Sequence, residues 1–398
     1  MVEEVELVVV GAGPAGSTAA REAARAGAGT VVLEKDAVVG ARRVCAAGLR
    51  PGFCETFDLP RSLIHCDTPR LALFDIRGVE REVFFGPGHT TTREELDGEI
   101  ARQAAASGAQ IRTGSLYRGF VREGDRTIVE YADAASGERR KISARNLFLA
   151  QGATAKLEID SEFAFTGWQN GLMTTLQYRV YLERPASAIA YETLELHYYP
   201  GRDGRQIIGW MFPKRDHLAV GLGFTGKMPG ALLREELESF TQRVRARLYP
   251  GIGFTLKQEG HLLYGGAPRP QVACEGVMVG GTAAGLVDAT NGEGIFEAAM
   301  SGRLAAEAIA SSRARPSNAA ARYGRALRDR FHGRLRNRER LMRFLEKRPA
   351  RYGVLFDQLA KSPRFADILQ REDHERDTGD RAYLYAQALS FAFRAALA

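Results

Sequence analysis
Residues 4–10 (EVELVVV) alternate polar and apolar and then become fully apolar, which predicts a strand entering a sheet interior. Residues 14–26 are rich in alanine at helix-compatible spacing, and residues 30–34 (TVVLE) form a second short apolar run. Together they predict the βαβ opening of an α/β sheet. Further along, residues 71–85 look strand-like, residues 93–107 helical and residues 109–112 strand-like again. Short strands are expected at 127–132, 139–143 and 146–150, the first two joined through the turn signal at 134–138.

The middle of the chain changes character. Residues 172–182, 190–198, 206–212 and 217–224 are four consecutive strand patterns, which predict an antiparallel sheet. An amphipathic helix is expected at 232–248. A buried strand at 277–279 runs through glycines into a long helix at 294–312. From 319 onward the pattern is helical, interrupted at Pro349 and Pro363, and 311–318 reads as a linker.

Composition narrows the class. With 45% hydrophobic and 26% charged residues over 398 positions, the chain is globular and long enough for two or three domains. It holds no apolar stretch of membrane-spanning length, and its acidic start, Met1-Val2-Glu3-Glu4, is unlike a signal peptide. The four cysteines (Cys45, Cys54, Cys66, Cys274) contain no CxxC pair, and the seven histidines show no ligand spacing, so no metal site is expected. A reducing cytoplasm is the expected compartment.

Gly11-Ala12-Gly13-Pro14-Ala15-Gly16 is a GxGxxG run between predicted strand and helix, with Glu34 ending the next strand. In such a run the first glycine permits the tight turn, the second admits a pyrophosphate and the third lets helix and strand approach. The helix N-terminus then offers free N–H groups to the phosphates. A carboxylate at Glu34 accepts from ribose hydroxyls and would repel a 2′-phosphate, which favours FAD or NAD over NADP. The later block VMVGGTAAGLVDATNGEGIFEAAMSGR supplies a second helix start, near Gly294, whose dipole suits the charge of a reduced flavin.

Four blocks together resemble the geranylgeranyl reductase family, within the p-hydroxybenzoate hydroxylase-like flavoproteins. They are GAGPAGSTAA with Glu34; Arg43-Val44-Cys45-Ala46-Ala47-Gly48-Leu49; Gly209-Trp210-Met211-Phe212-Pro213-Lys214; and AAGLVDATNGEGIFEAAMSGR. The resemblance implies an α/β fold: a Rossmann-like FAD-binding domain (1–60, 86–160 and 265–315), an inserted antiparallel-sheet substrate domain (61–85 and 161–264) and a C-terminal helical region (316–398). It places FAD against Gly11, Gly13, Ala15, Gly16, Glu34, Lys35, Arg43, Val44, Cys45, Arg93, Thr282, Asp288, Gly292, Gly294 and Ile295. It places substrate against Trp210, Phe212, Pro213 and Tyr178. Three positions depart from the family pattern: Thr282 stands where an Asp is usual, Gln151 precedes Gly152 in place of another Asp, and Ile208 replaces a Tyr.

The implied activity is saturation of C=C bonds in prenyl chains, by hydride from reduced flavin N5 and a proton. NAD(P)H or ferredoxin would supply electrons, and the substrate would be a prenyl diphosphate or prenyl lipid in a long apolar pocket. Cys45 is the expected catalytic residue, as proton donor or as a group that poises the ring, with Arg42 and Arg43 able to tune it. A monooxygenase or halogenase of the same fold is the competing reading, although the chain carries one tryptophan in its third block where halogenases carry two.

The net charge of +7 is local. Between Arg322 and Arg351 twelve Arg or Lys face three acids, so the remaining chain is slightly acidic. Arg325, Arg328, Arg336 and Arg343 recur at spacings that predict one basic helix face. With no nucleic-acid module present, this segment is expected to meet an anionic membrane surface or a diphosphate headgroup.

Overall fold
The opening apolar run becomes the buried strand β1 (Glu3–Val10) of an eight-stranded sheet, and the GxGxxG turn leads from it into α1 (Pro14–Arg25). The structure is a computed structural model describing residues 2–41, 44–83, 88–154, 163–165, 167–226, 228–372 and 374–397. The chain continues through β2 (Thr30–Leu33), β3 (Gly48–Leu49), α2 (Phe53–Thr56), β4 (Cys66–Thr68), β5 (Arg70–Phe74), β6 (Glu80–Val83), β7 (Gly88–Thr90) and α3 (Arg93–Ala106). It then forms β8 (Gln110–Arg112), β9 (Ser115–Glu123), β10 (Arg126–Asp133), β11 (Arg139–Leu149), β12 (Leu172–Leu182), α4 (Ala188–Glu192), β13 (Thr193–Pro200), β14 (Gln206–Pro213) and β15 (Leu218–Thr225). After α5 (Gly230–Leu248) come β16 (Phe254–Tyr264), β17 (Ala273–Cys274), β18 (Val277–Val279) and α6 (Ile295–Ala310). Helices α7 (Ala319–Leu327), α8 (Gly333–Glu346), α9 (Arg351–Lys361), α10 (Pro363–Gln370) and α11 (Thr378–Leu397) complete it.

The first sheet has the order β17-β18-β11-β1-β2-β8, and β9 and β10 extend from β11. Pairings β18–β11, β11–β1, β1–β2 and β2–β8 are parallel, as the βαβ pattern requires. The expected strands 139–143 and 146–150 are one strand, β11, which pairs with β10 along its first half and β18 along its second. Helices α1 and α6 cross closely because Gly302 has no side chain: a Cβ there would stand 2.1 Å from the Ala15 carbonyl oxygen.

The second sheet runs β16-β12-β15-β14-β13-β5-β6. The four expected strands pair antiparallel, β12 with β15, β15 with β14 and β14 with β13, and the sheet becomes mixed only where β13 also pairs with β5 in parallel. The expected strand at 71–85 is a hairpin turning at Asp75, whose carboxylate accepts from the Arg77 and Val79 N–H groups; residues 84–85 lie outside the described residues. The expected strand at 190–198 begins as a short helix, α4, where Ala and Glu disfavour strand, and pairs only from Thr193. Strands β9 and β16 were not expected: their polar sequences lie at sheet edges, where pairing and not burial holds them. A separate three-stranded sheet has the order β3-β7-β4.

Helix α5 covers one face of the second sheet through Leu233, Leu237, Phe240 and Val244. The C-terminal helices cover the other face, with Met342, Leu345, Tyr352, Leu355 and Phe356 against Leu196, Tyr198 and Ile208. The breaks at Pro349 and Pro363 are present; Pro363 opens α10, and the Ser362 hydroxyl caps that helix by accepting from Phe365 N–H. Between α7 and α8 a π-helical turn, Arg328–His332, shifts the helix phase, so the expected single basic face is divided. Arg325, Arg328, Arg336 and Arg343 are exposed, whereas Arg334 turns inward.

Arg334 ends on Glu297, in the first turn of α6. The fully buried Glu297 Oε1 also accepts from Arg50 Nη2 at 2.7 Å, and Arg50 Nε reaches Glu293 at 2.7 Å. Burial alone would raise the carboxyl's pKa; the two guanidiniums outweigh it and hold the value below the ordinary range. Removing one partner of such a group leaves a charge stranded. Glu297→Ala is therefore expected to cost about 3–5 kcal/mol in chemical denaturation, with earlier proteolysis of the C-terminal helices.

Candidate functional site
The glycine turn is shaped as its pattern predicts. Gly11 has φ +97°, and a Cβ on it would lie 2.5 Å from Ala150 O; a Cβ on Gly16 would lie 1.8 Å from Gly11 O. Gly13 differs. Its backbone is extended, and the space beside it is open up to the Arg93 guanidinium, 3.6 Å from a notional Cβ. No side chain caps α1, so its first N–H groups face that space. The buried Glu34 carboxylate accepts from Ala12 N–H at 2.8 Å and Asp36 N–H at 3.0 Å, which fixes it beside the turn. An uncapped helix start, an open glycine and an anchored acid fit the phosphates and ribose of a dinucleotide.

The fourth block lies against the first. Gly281 N–H donates to Ser301 Oγ at 3.0 Å, and a Cβ on Gly281 would stand 3.1 Å from that of Ala15. Thr282 follows, half-buried, and Gly294 precedes an uncapped α6 whose first residue is Ile295. Gly292 is exposed with φ +76°. Asp288 is engaged within the protein itself. Its Oδ1 accepts from Thr290 N–H and hydroxyl, and its Oδ2 lies 3.4 Å from Arg338, so the buried carboxylate serves its own loop and α8. Lys35 is exposed beyond Glu34. Arg42 and Arg43 lie outside the described residues.

Arg93 begins α3, where the Thr92 hydroxyl caps the helix by accepting from Glu95 N–H. Its guanidinium holds both oxygens of buried Asp97, at 2.8 and 2.7 Å, and lies close enough to Cys45 for the thiol to influence its charge. Burial opposes its charge, but Asp97 and Cys45 outweigh that and raise its pKa. The loop with half-buried Val44 and Cys45 is tightly bent: Ala47 adopts φ +46°, Ala47 N–H donates to Cys45 Sγ at 3.3 Å, and Ala47 O accepts from Thr91 N–H at 3.0 Å.

The third block meets the second here. The Phe212 ring lies on Gly48, where a Cβ would be 2.7 Å from Cε2, and Pro213 O accepts from Thr90 Oγ1 at 2.6 Å. Trp210 lies on the same face of β14, its Nε1–H donating to Gln177 Oε1 at 2.9 Å. Gly221 of β15 makes room for the indole, since a Cβ there would stand 2.4 Å from Cζ2. Tyr178, expected beside Trp210 and Phe212, lies on the other face. Neighbouring strand residues point to opposite faces, so with Gln177 under Trp210, Tyr178 lies beneath α5.

A cavity of about 140 Å³ opens at the other end of this face, lined by Met173, Ile208, Tyr264, Met342, Glu339 and Arg343 among others. It is small and of mixed polar and apolar lining rather than the long apolar pocket expected, and the C-terminal helices pack over this face of the sheet.

Residues 6–62 match the family described as FAD dependent oxidoreductase. The chain is 28% identical over 312 residues to a geranylgeranyl diphosphate reductase of Rhodobacter capsulatus, covering 76% of this chain and 74% of that one. It is 31% identical over 340 residues to a menaquinone reductase of Mycobacterium tuberculosis, covering 81% of each. The chain belongs to the geranylgeranyl reductase family. A crystal structure of a geranylgeranyl bacteriochlorophyll reductase-like protein from Thermoplasma acidophilum shares the fold at TM-score 0.67, with 22% identity, covering 97% of this chain and 96% of that one. The protein is thus an FAD-dependent oxidoreductase.

The family's third block ends in Lys214, to which the sequence reading assigned no role. Its ammonium is buried beside the Cys45 loop, donating to Ala46 O and, at 3.5 Å, to Ala47 O. Among the described residues no carboxylate lies within ion-pair distance of Nζ. Burial lowers its pKa to about 7, while the Cys45 and Cys66 thiols and Glu94 push the other way and Arg179 adds to the fall. The available signal was a lone lysine directly after a strand whose two faces are both covered. The folded value lies below the unfolded one, so the cost of burying Lys214 is complete below about pH 7 and fades toward about pH 10.5. Lys214→Met should therefore gain thermal midpoint relative to the parent most at about pH 6, and the gap should narrow by about pH 10.

Proposed function
We propose that this enzyme saturates C=C bonds of a geranylgeranyl or related prenyl chain, carried as a diphosphate or a lipid. The observation that carries the reading is the meeting of Cys45, Arg93, Lys214 and Phe212 beside the glycine turn. FAD, when bound and reduced, supplies the hydride. Gly11, Gly13, Ala15 and Gly16 with the α1 N-terminus and Arg93 would hold its phosphates, and Glu34 its ribose. Thr282, Gly292, Gly294 and Ile295 would line its other end.

The chain must then deliver a proton to the second alkene carbon while keeping water out. Cys45 would donate it, and the thiolate left behind would be stabilised by the neighbouring Arg93 and Lys214. Lys214 can return a proton to it, because a buried amine with a pKa of about 7 exists in both states near neutrality. Ile208, Trp210 and Phe212 share one face of β14, and four residues of strand span about 13 Å from cavity to Cys45 loop. A prenyl chain laid along that track would pass over aromatic faces that stabilise developing positive charge. The exposed arginines of 322–351 would meet a diphosphate headgroup or an anionic membrane. Electrons would come from NAD(P)H or ferredoxin.

Two expectations test this. Gly13→Ala fits the open space and the extended backbone, so ligand-free stability should fall only by the cost of a poorer N-cap, about 1 kcal/mol or less, while FAD retention falls much further. FAD-loaded protein, reduced with dithionite without oxygen, should add two hydrogens per double bond to geranylgeranyl diphosphate or a geranylgeranyl lipid, read by mass spectrometry. Cys45→Ala should slow that turnover by about 10²–10⁴-fold. Oxygen or halogen transfer to an aromatic, without chain reduction, would support the monooxygenase or halogenase reading instead.

A further inference from the structure
Helix α11 is fixed on one side and bare on the other. On its inner side Gln387 O accepts from Gln358 Nε2 at 3.0 Å, Tyr383 OH meets Ser362 Oγ at 2.8 Å, and Phe391 packs on Phe344 with centroids 5.9 Å apart. On its outer side Tyr385, Leu389 and Phe393 are 68%, 56% and 71% exposed. They stand four residues apart, so they form one stripe along the helix. Ala382, Ala386, Ala392 and Ala396 fill the same exposed arc. Its one charged residue between 382 and 396, Arg394, turns inward to Gln358 and Ser390 O. Ten large hydrophobics are exposed among the described residues, and three of them lie in this stripe. Such a concentration on one helix is the mark of an interaction surface.

Basic side chains stand at both ends of α11, alongside exposed Glu346 at one end and exposed Glu375 and Asp377 at the other. Arg364 lies over Tyr383 at 4.5 Å, next to exposed Lys361. At the other end Arg351 Nε reaches Ala395 O at 3.4 Å, and exposed Lys347 and Arg348 precede it in the corner between α8 and α9. Helix α8, which supplies Phe344 to this contact, also supplies Glu339, Met342, Arg343 and Glu346 to the cavity wall.

The geometry points to α11 as an interfacial helix that seats the enzyme on an anionic phospholipid surface. Tyr385, Leu389 and Phe393 enter the headgroup–acyl boundary, and Lys347, Arg348, Lys361 and Arg364 contact phosphates. Among the described residues no helix is long and apolar enough to cross a membrane, so the contact lies along the surface. An apolar stripe with a rim that is basic on balance complements anionic lipid better than it complements a second copy, whose rim would carry the same charge. This deepens the attachment reading of the basic segment, and it leaves the cavity wall one helix from the lipid.

The test uses the full-length FAD-loaded protein and needs no turnover, so its failure is distinct from failure of the reductase reading. Co-sedimentation with phosphatidylcholine vesicles containing about 30% phosphatidylglycerol should exceed that with phosphatidylcholine alone, and should weaken with salt. Tyr385→Ser/Leu389→Ser/Phe393→Ser should lower vesicle affinity at least tenfold while keeping the parent's thermal midpoint and its turnover of detergent-dispersed substrate. In a separate variant, Phe393→Trp, vesicles should shift the emission to the blue. Unchanged vesicle binding by the triple variant overturns the proposal. So does a parent dimer in solution that the triple variant dissolves, which would assign the face to self-association.

Discussion
One buried carboxylate holds three distant parts of the chain in register. Glu297 begins α6, Arg50 follows the Cys45 loop, and Arg334 belongs to α8. A fully buried carboxylate is tolerated only when opposite charges compensate its lost hydration, so neither arginine can leave without stranding it. The C-terminal helices are thereby tied to the loop that carries the candidate catalytic thiol. They then cover the sheet face bearing Trp210 and Phe212. The α1–α6 crossing at Gly302 and Ala15 brings the other half of the flavin-block sequence to the glycine turn.

The site that results is electrostatically unusual. Arg93 and Lys214 approach Cys45 from different elements, one kept charged by Asp97 and the other left without a carboxylate among the described residues. The difference is chiefly one of partner, since Lys214 is buried and Arg93 largely so. A guanidinium in a bidentate pair stays a fixed charge, whereas a desolvated amine held by carbonyls can exchange a proton near neutrality. A site of this kind can offer a permanent anion-binding charge and a proton reservoir on the two sides of one thiol.

Much of the fold was legible in local pattern. The apolar runs at β1, β2 and β18, the helices α1, α3, α5 and α6, and the breaks at Pro349 and Pro363 follow from periodicity and backbone chemistry. Where pattern failed, pairing decided. β16 is polar along most of its length yet aligns with β12 over all eleven residues, because β12 offers it an unpaired edge. The basic segment read as one face because its spacings assume an uninterrupted α-helix, and the π-turn at Arg328–His332 breaks that assumption.

The sequence by itself determined the glycine turn with its acid, the order of the four blocks and the thiol on its short loop. These are local: each depends on φ, on side-chain size or on a few neighbouring residues. The tertiary structure alone decided which side chains share a face. It sent Tyr178 beneath α5, gave Asp288 to its own loop, buried Lys214 without an acid and left the stripe of α11 bare. Such outcomes depend on what packs against a residue from elsewhere in the chain, and desolvation and partner choice, which set charge state and exposure, arise only from that packing.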